Sequence, residues 1–202
     1  QPTFGGGDLD GVIIKLDNSL QNIIWSSYFG GEKHDAGYSL AIDSNEDIYI
    51  TGGTNSDSLV TTHNVIDTGA LGGRSDGFVA HIEAGGQQII SSTYYGSSAY
   101  DQSYFVELDN WNNVYLLGQT EIQDSSFIHN ALYFNYGSGQ FVSKLTAQLD
   151  SVIYSTVFGN GNGISLSPTA FLVDLCNKMY LSGWGGGTNN FNTCNNTSST
   201  IG

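Results

Sequence analysis

The chain has 202 residues, 39% of them hydrophobic, and sets 19 acidic side chains against 5 lysines and arginines, for a formal net charge of −14. That charge repels phosphate backbones and anionic lipid surfaces, and no basic stripe offsets it, so nucleic-acid and membrane-surface binding are excluded as expectations. No apolar run reaches the length of a spanning helix, which argues against membrane insertion, while 10 Phe, 12 Tyr and 3 Trp suffice for a core.

In chain order, the polar, Gly-rich residues 1–10 lead into an apolar run at 11–16, a turn at 17–19 and a second run at 23–29. The same pair returns at 77–82 with 89–95, and at 140–145 with 152–158. Lys15, His81 and Lys144 hold one equivalent place in the first run. The second run ends each time on nearly the same residues, SSYFG, STYYG and STVFG. Alternating β-branched and aromatic residues that stop at glycine predict strands with marked ends.

Two further strands are predicted in each unit, at 38–43 with 48–51, 104–109 with 114–117, and 170–174 with 179–182. The Asp- and Asn-rich residues between them suit tight turns, because their side chains bond the turn backbone and tolerate left-handed conformations. The repeat is regular. Gly30, Gly96 and Gly159 lie 66 and 63 residues apart, and Asp43, Asp109 and Asp174 lie 66 and 65 apart, as do Tyr49, Tyr115 and Tyr180. The polar connections at 54–76 and 120–139 vary while the strands do not, which places insertions on one face.

No segment shows a helical period. The expected fold class is therefore all-β: a β-propeller built from ~65-residue four-stranded blades, about three of them in this chain. The units run over about 7–54, 73–120 and 137–184, so that 1–187 holds the blades and 188–202 is a polar tail.

SSYFGG…GYSLAIDSNEDIYITGGT followed by GGRSDGFVAHI resembles the SBBP (seven-bladed β-propeller) repeat of secreted bacterial proteins, and the likeness covers about 7–184. SPTAFLVDLCNKMYLSGWGGGTN is similar to the final repeat of large Bacteroidota surface proteins, which often carry a type IX secretion or gliding-motility C-terminal domain. The resemblance implies export and a cell-surface role, and it transfers no catalytic residue. Neither does the sequence supply one. His34, His63, His81 and His129 occupy different places with no metal-ligand spacing, and no nucleophile elbow exists. The glycine runs lack the Lys-Ser/Thr of a phosphate loop and read as turns.

Asp43, Asn45 and Asp47 alternate oxygen ligands as a calcium loop begins, but the distal Glu is missing and Lys178 stands in the equivalent last turn, so turn capping is the better reading and no cofactor is expected. Trp111 and Trp184 fall in a turn and before a glycine run, where an exposed indole could contact a sugar ligand. Cys176 and Cys194 are the one available pair, and an exported protein is expected to oxidise them to a disulfide. Under the Bacteroidota resemblance, Asp-Ser-apolar motifs make Ser58 and Ser151 expected O-glycosylation sites, Ser151 the weaker because it begins a strand.

The function expected is that of an exported, non-enzymatic cell-surface scaffold for adhesion or assembly, its partners being other surface or secretion-machinery proteins. A carbohydrate-binding propeller is the alternative, and a hydrolase comes third. Three units are too few to close a ring, so further blades are expected upstream of Gln1, in a larger polypeptide.

Overall fold

The computed structural model describes residues 3–185, which form twelve strands and no helix. The strands are β1 (Gly11–Leu16), β2 (Ile23–Phe29), β3 (Asp35–Ile42), β4 (Ile48–Thr54), β5 (Asp76–Ile82), β6 (Ile89–Tyr95), β7 (Asp101–Leu108), β8 (Val114–Thr120), β9 (Gln140–Leu145), β10 (Val152–Phe158), β11 (Ser167–Val173) and β12 (Met179–Trp184). All pairing between them is antiparallel. Two sheets have four strands, in the orders β3-β4-β5-β6 and β7-β8-β9-β10. They are flanked by two-stranded sheets, β1-β2 and β11-β12. The first strands of successive sheets adjoin, β3 beside β7 and β7 beside β11, as strands nearest a propeller axis do.

The phase of the sheets differs from that of the sequence units. Each four-stranded sheet takes the third and fourth strands of one unit and the first and second of the next. Thus β4 pairs with β5 across the long connection 55–75, in the register Tyr49↔His81 and Gly52↔Phe78. Likewise β8 pairs with β9 across 121–139, in the register Tyr115↔Lys144 and Gly118↔Phe141. A blade is set by hydrogen bonding, and here it straddles the unit boundary.

Three clusters form the core, each joining one sheet to the next. Ile13 and Phe29 of the first sheet meet Ile50, Phe78, Ala80 and Tyr94 of the second. Tyr49, Val79 and Tyr95 of the second meet Val106, Leu116 and Phe141 of the third, whose Tyr115, Leu117 and Val142 meet Phe171 and Val173 of the fourth. Aromatic rings repeat the seam, with Phe29 stacked on Phe78 at 5.0 Å and Tyr95 tilted against Phe141 at 5.9 Å. Central strands are covered on both faces, so β4 is buried throughout and β8 at all but one residue. The flanking sheets are covered on one face only, and β1 alternates buried with exposed.

Candidate functional site

The repeat builds the same polar seat three times, at the turns that close the hairpins β3–β4, β7–β8 and β11–β12. Asp43 caps the β3–β4 turn: its Oδ1 accepts the backbone N–H of Asn45 at 2.8 Å and of Asp47 at 3.0 Å. Asp109 caps the β7–β8 turn, accepting the N–H of Trp111 and of Asn113, both at 2.9 Å. Asp174 does the same at the β11–β12 turn for Cys176 at 2.8 Å and Lys178 at 2.9 Å. The left-handed backbone at Glu46, Asn112 and Asn177 (φ 65°, 61° and 60°) shows one turn used three times.

A basic side chain from the neighbouring strand fills two of these seats. Lys144, on β9, places its ammonium 2.7 Å from a fully buried Asp109 oxygen and 4.8 Å from the centre of the Tyr115 ring. Burial works against charge on both partners, but their mutual contact prevails with help from neighbouring hydrogen bonds, holding Asp109 below the usual carboxylate range and Lys144 above the usual lysine range. In the preceding sheet His81 takes the place of Lys144, stacked on Tyr49 at 4.1 Å with Nε2 3.5 Å from Asp47. Here burial prevails over the carboxylates and pushes the imidazole below its ordinary value.

The three calcium candidates come together in part. Asp43, Asp47 and His81 offer ligand atoms within 4.8 Å of one another, whereas Asn45 contributes a backbone N–H to Asp43. Three of the four carboxylate oxygens are engaged, since Asp43 Oδ2 accepts from Asn112 Nδ2 at 2.9 Å and Asp47 Oδ1 from the Ala84 N–H at 2.9 Å. Two carboxylates with an imidazole are a poor donor set for calcium, which takes six or more oxygens. His81 escapes a local motif search because it lies on a strand of the next unit; its shared place with Lys15 and Lys144 is the signal that finds it.

The remaining predicted residues are dispersed. Trp111 and Trp184 are both exposed, but Trp111 sits at the closed end of its hairpin, while Trp184 pairs with Ser167 at the open end of β11–β12. They do not share a pocket. Ser58 is exposed and donates its hydroxyl to Glu32, whose pKa that bond holds down at about 2. Ser151 is exposed just before β10 and lines a cavity of about 590 Å³ that Tyr94, Tyr95, Phe127 and His129 also line. Cys176 is exposed in the last hairpin turn, and Cys194 lies outside the described residues.

Sequence reading missed an exposed apolar run in the connection between β8 and β9. Leu132, Tyr133, Phe134 and Tyr136 are all exposed there, with the last two rings in edge contact at 4.7 Å. The run lies outside the repeat, so no periodicity marks it.

Successive antiparallel sheets with adjoining first strands and repeated capped turns define a β-propeller scaffold. Residues 24–59, from β2 through β4 and just beyond, match the family model described as SBBP, beta-propeller repeat, in keeping with the propeller architecture. No curated protein matches the chain.

Proposed function

We propose that this propeller is an exported, non-enzymatic scaffold of the bacterial cell surface, serving adhesion or assembly through its connecting segments. The observation that carries the reading is the exposed run Leu132, Tyr133, Phe134 and Tyr136 on a connection held by two rigid strands. A contiguous exposed apolar patch of this kind marks a protein-contact surface, and aromatic side chains dominate the energetics of such contacts.

The test is binding of the purified chain to intact host cells, read by flow cytometry. Binding is expected to saturate, and Leu132→Asp/Phe134→Ser is expected to weaken it about tenfold, the loss of a single strong anchor. Binding that this variant leaves unchanged removes the patch from the reading. A lectin is the second reading, favoured by the exposure of Trp111. Saturable binding on a glycan array, lost in Trp111→Ala, would decide for it.

A further inference from the structure

The two complete sheets hold the same seat with different side chains, and the differences share one direction. In the sheet β7-β8-β9-β10, Asn113 donates its side-chain amide to both Asp109 oxygens, at 2.9 and 3.2 Å, and Lys144 adds an ammonium at 2.7 Å. In the sheet β3-β4-β5-β6 the matching places hold Asp47 for Asn113 and His81 for Lys144, with His81 opposite Tyr49 as Lys144 is opposite Tyr115. One carboxylate and one ammonium cancel in the former seat. Two carboxylates and an imidazole, uncharged at neutral pH, leave two negative charges in the latter. Where Asn113 donates, Asp47 can only accept.

No basic residue of the chain makes up the difference. Lys15 spends its ammonium on exposed Glu46 at 3.0 Å and on the Ala84 carbonyl at 3.5 Å. Among the described residues neither Asp43 nor Asp47 pairs with a lysine or an arginine. The seat lies within a complete sheet, closed from the following one by Asn112, whose amide meets Asp43 Oδ2 at 2.9 Å.

The imidazole is set for a ligand. Its Nε2 is shut off from solvent and makes no hydrogen bond, with Asp47 Oδ2 3.5 Å away. Tyr49, stacked at 4.1 Å and 13° from parallel, fixes the ring. On a tetrahedral zinc ion, ligands at about 2.0–2.2 Å stand about 3.3–3.6 Å from one another, so His81 and Asp47 already have the spacing. The Asp43 ligand atom lies within 4.8 Å of both. The N–H of Ala84 holds Asp47 Oδ1 at 2.9 Å, and that of Asn45 holds Asp43 Oδ1 at 2.8 Å. Such outer bonds orient metal-binding carboxylates.

We propose that Asp43, Asp47 and His81 bind a divalent transition metal of the zinc class, in the place that the Lys144 ammonium takes in the next sheet. A dication balances the two charges. An imidazole nitrogen with two carboxylate oxygens suits such an ion, and water takes the fourth position. The site ties the β3–β4 turn to β5 and is structural.

The experiment is equilibrium dialysis of the full chain against zinc, with bound metal measured by elemental mass spectrometry. Wild type is compared with His81→Lys/Asp47→Asn, which writes the lysine and amide of the next sheet into this seat and is expected to keep the fold by circular dichroism. A second variant, His81→Phe, keeps a ring on Tyr49 and removes the nitrogen. Wild type is expected to hold one zinc per chain. Both variants are expected to bind it at least about a hundredfold more weakly, since even outer partners of a metal are worth up to that factor. Zinc at about a hundred times its Kd is expected to raise the wild-type melting temperature by about 5–10 °C. Chelator should reverse the rise, and calcium at the same concentration should not produce it. Wild type that holds no zinc overturns the proposal and leaves the two carboxylates to share a proton. Zinc held equally by both variants also overturns it, placing the metal on a cysteine or on exposed His34, His63 or His129. Calcium that displaces zinc overturns the metal class. The 132–136 patch shares no residue with this seat, so the cell-binding reading stands or falls separately.

Discussion

Lys144 and Asp109 show how the repeat spends a buried charge pair. The carboxylate has no exposure and the lysine little, so removing the lysine leaves an uncompensated charge in the interior. Lys144→Met is expected to cost about 3–5 kcal/mol, and the double variant Lys144→Met/Asp109→Asn distinctly less, as urea unfolding can measure. Asp76 is the opposite case. It is buried at the head of β5, where its carboxylate accepts the Leu71 N–H at 2.8 Å, and burial raises its pKa to about 6. Because the folded value lies above the ordinary 3.8, the folded protein holds the proton more tightly. The associated stability is fully present below about pH 4 and is lost as pH rises through 6. Asp76→Asn is therefore expected to raise the melting temperature at pH 7 and to change it little at pH 4; equal shifts at both would exclude the linkage. At this scale the sequence shows which residues are equivalent, but not what they touch. Lys144 meets Asp109 because strand pairing brings two different units together.

Strands at the outer positions are legible almost to the residue: β2, β6 and β10 start and stop where alternation and the closing glycine place them. The inner hairpins are not. They run about three residues further at their open ends than expected, to Asp35 and Thr54 in the first complete sheet and to Asp101 and Thr120 in the second. Buried aspartates and strand glycines there resemble turn residues. Asp35 accepts from the Gly31 N–H at 2.7 Å and the Ser56 hydroxyl at 2.8 Å, tying strand to loop. At Gly118 a methyl group would lie 2.1 Å from the Gln102 carbonyl oxygen and 2.4 Å from the Phe141 ring, so glycine is needed for the close approach of two strands. Gly118→Ala is expected to destabilise by about 1–3 kcal/mol or more, as overpacking does. Gly69→Ala meets nothing within 4 Å and is expected to stay within about 0.5 kcal/mol of wild type. Equal losses in thermal melts would refute the steric account. A bulge at Tyr38, Tyr104 and Thr169, one in each hairpin, is equally illegible, since only pairing reveals it.

Across the whole molecule stability is graded, because the strands differ in how many neighbours close over them. Both edges of β4, β5, β8 and β9 are hydrogen-bonded, and the largest cores lie on their faces. By contrast β12 bonds along one edge and lies exposed along its length, and β1 is covered on one face. Local opening follows such differences, since amides in strands with few buried contacts exchange through small fluctuations and those of the core only through large ones. Hydrogen exchange of dilute protein is expected to protect β4, β5, β8 and β9 most, and β12 least. Protection of β12 equal to that of β8 in dilute protein would mean that its outer edge is already closed within one chain.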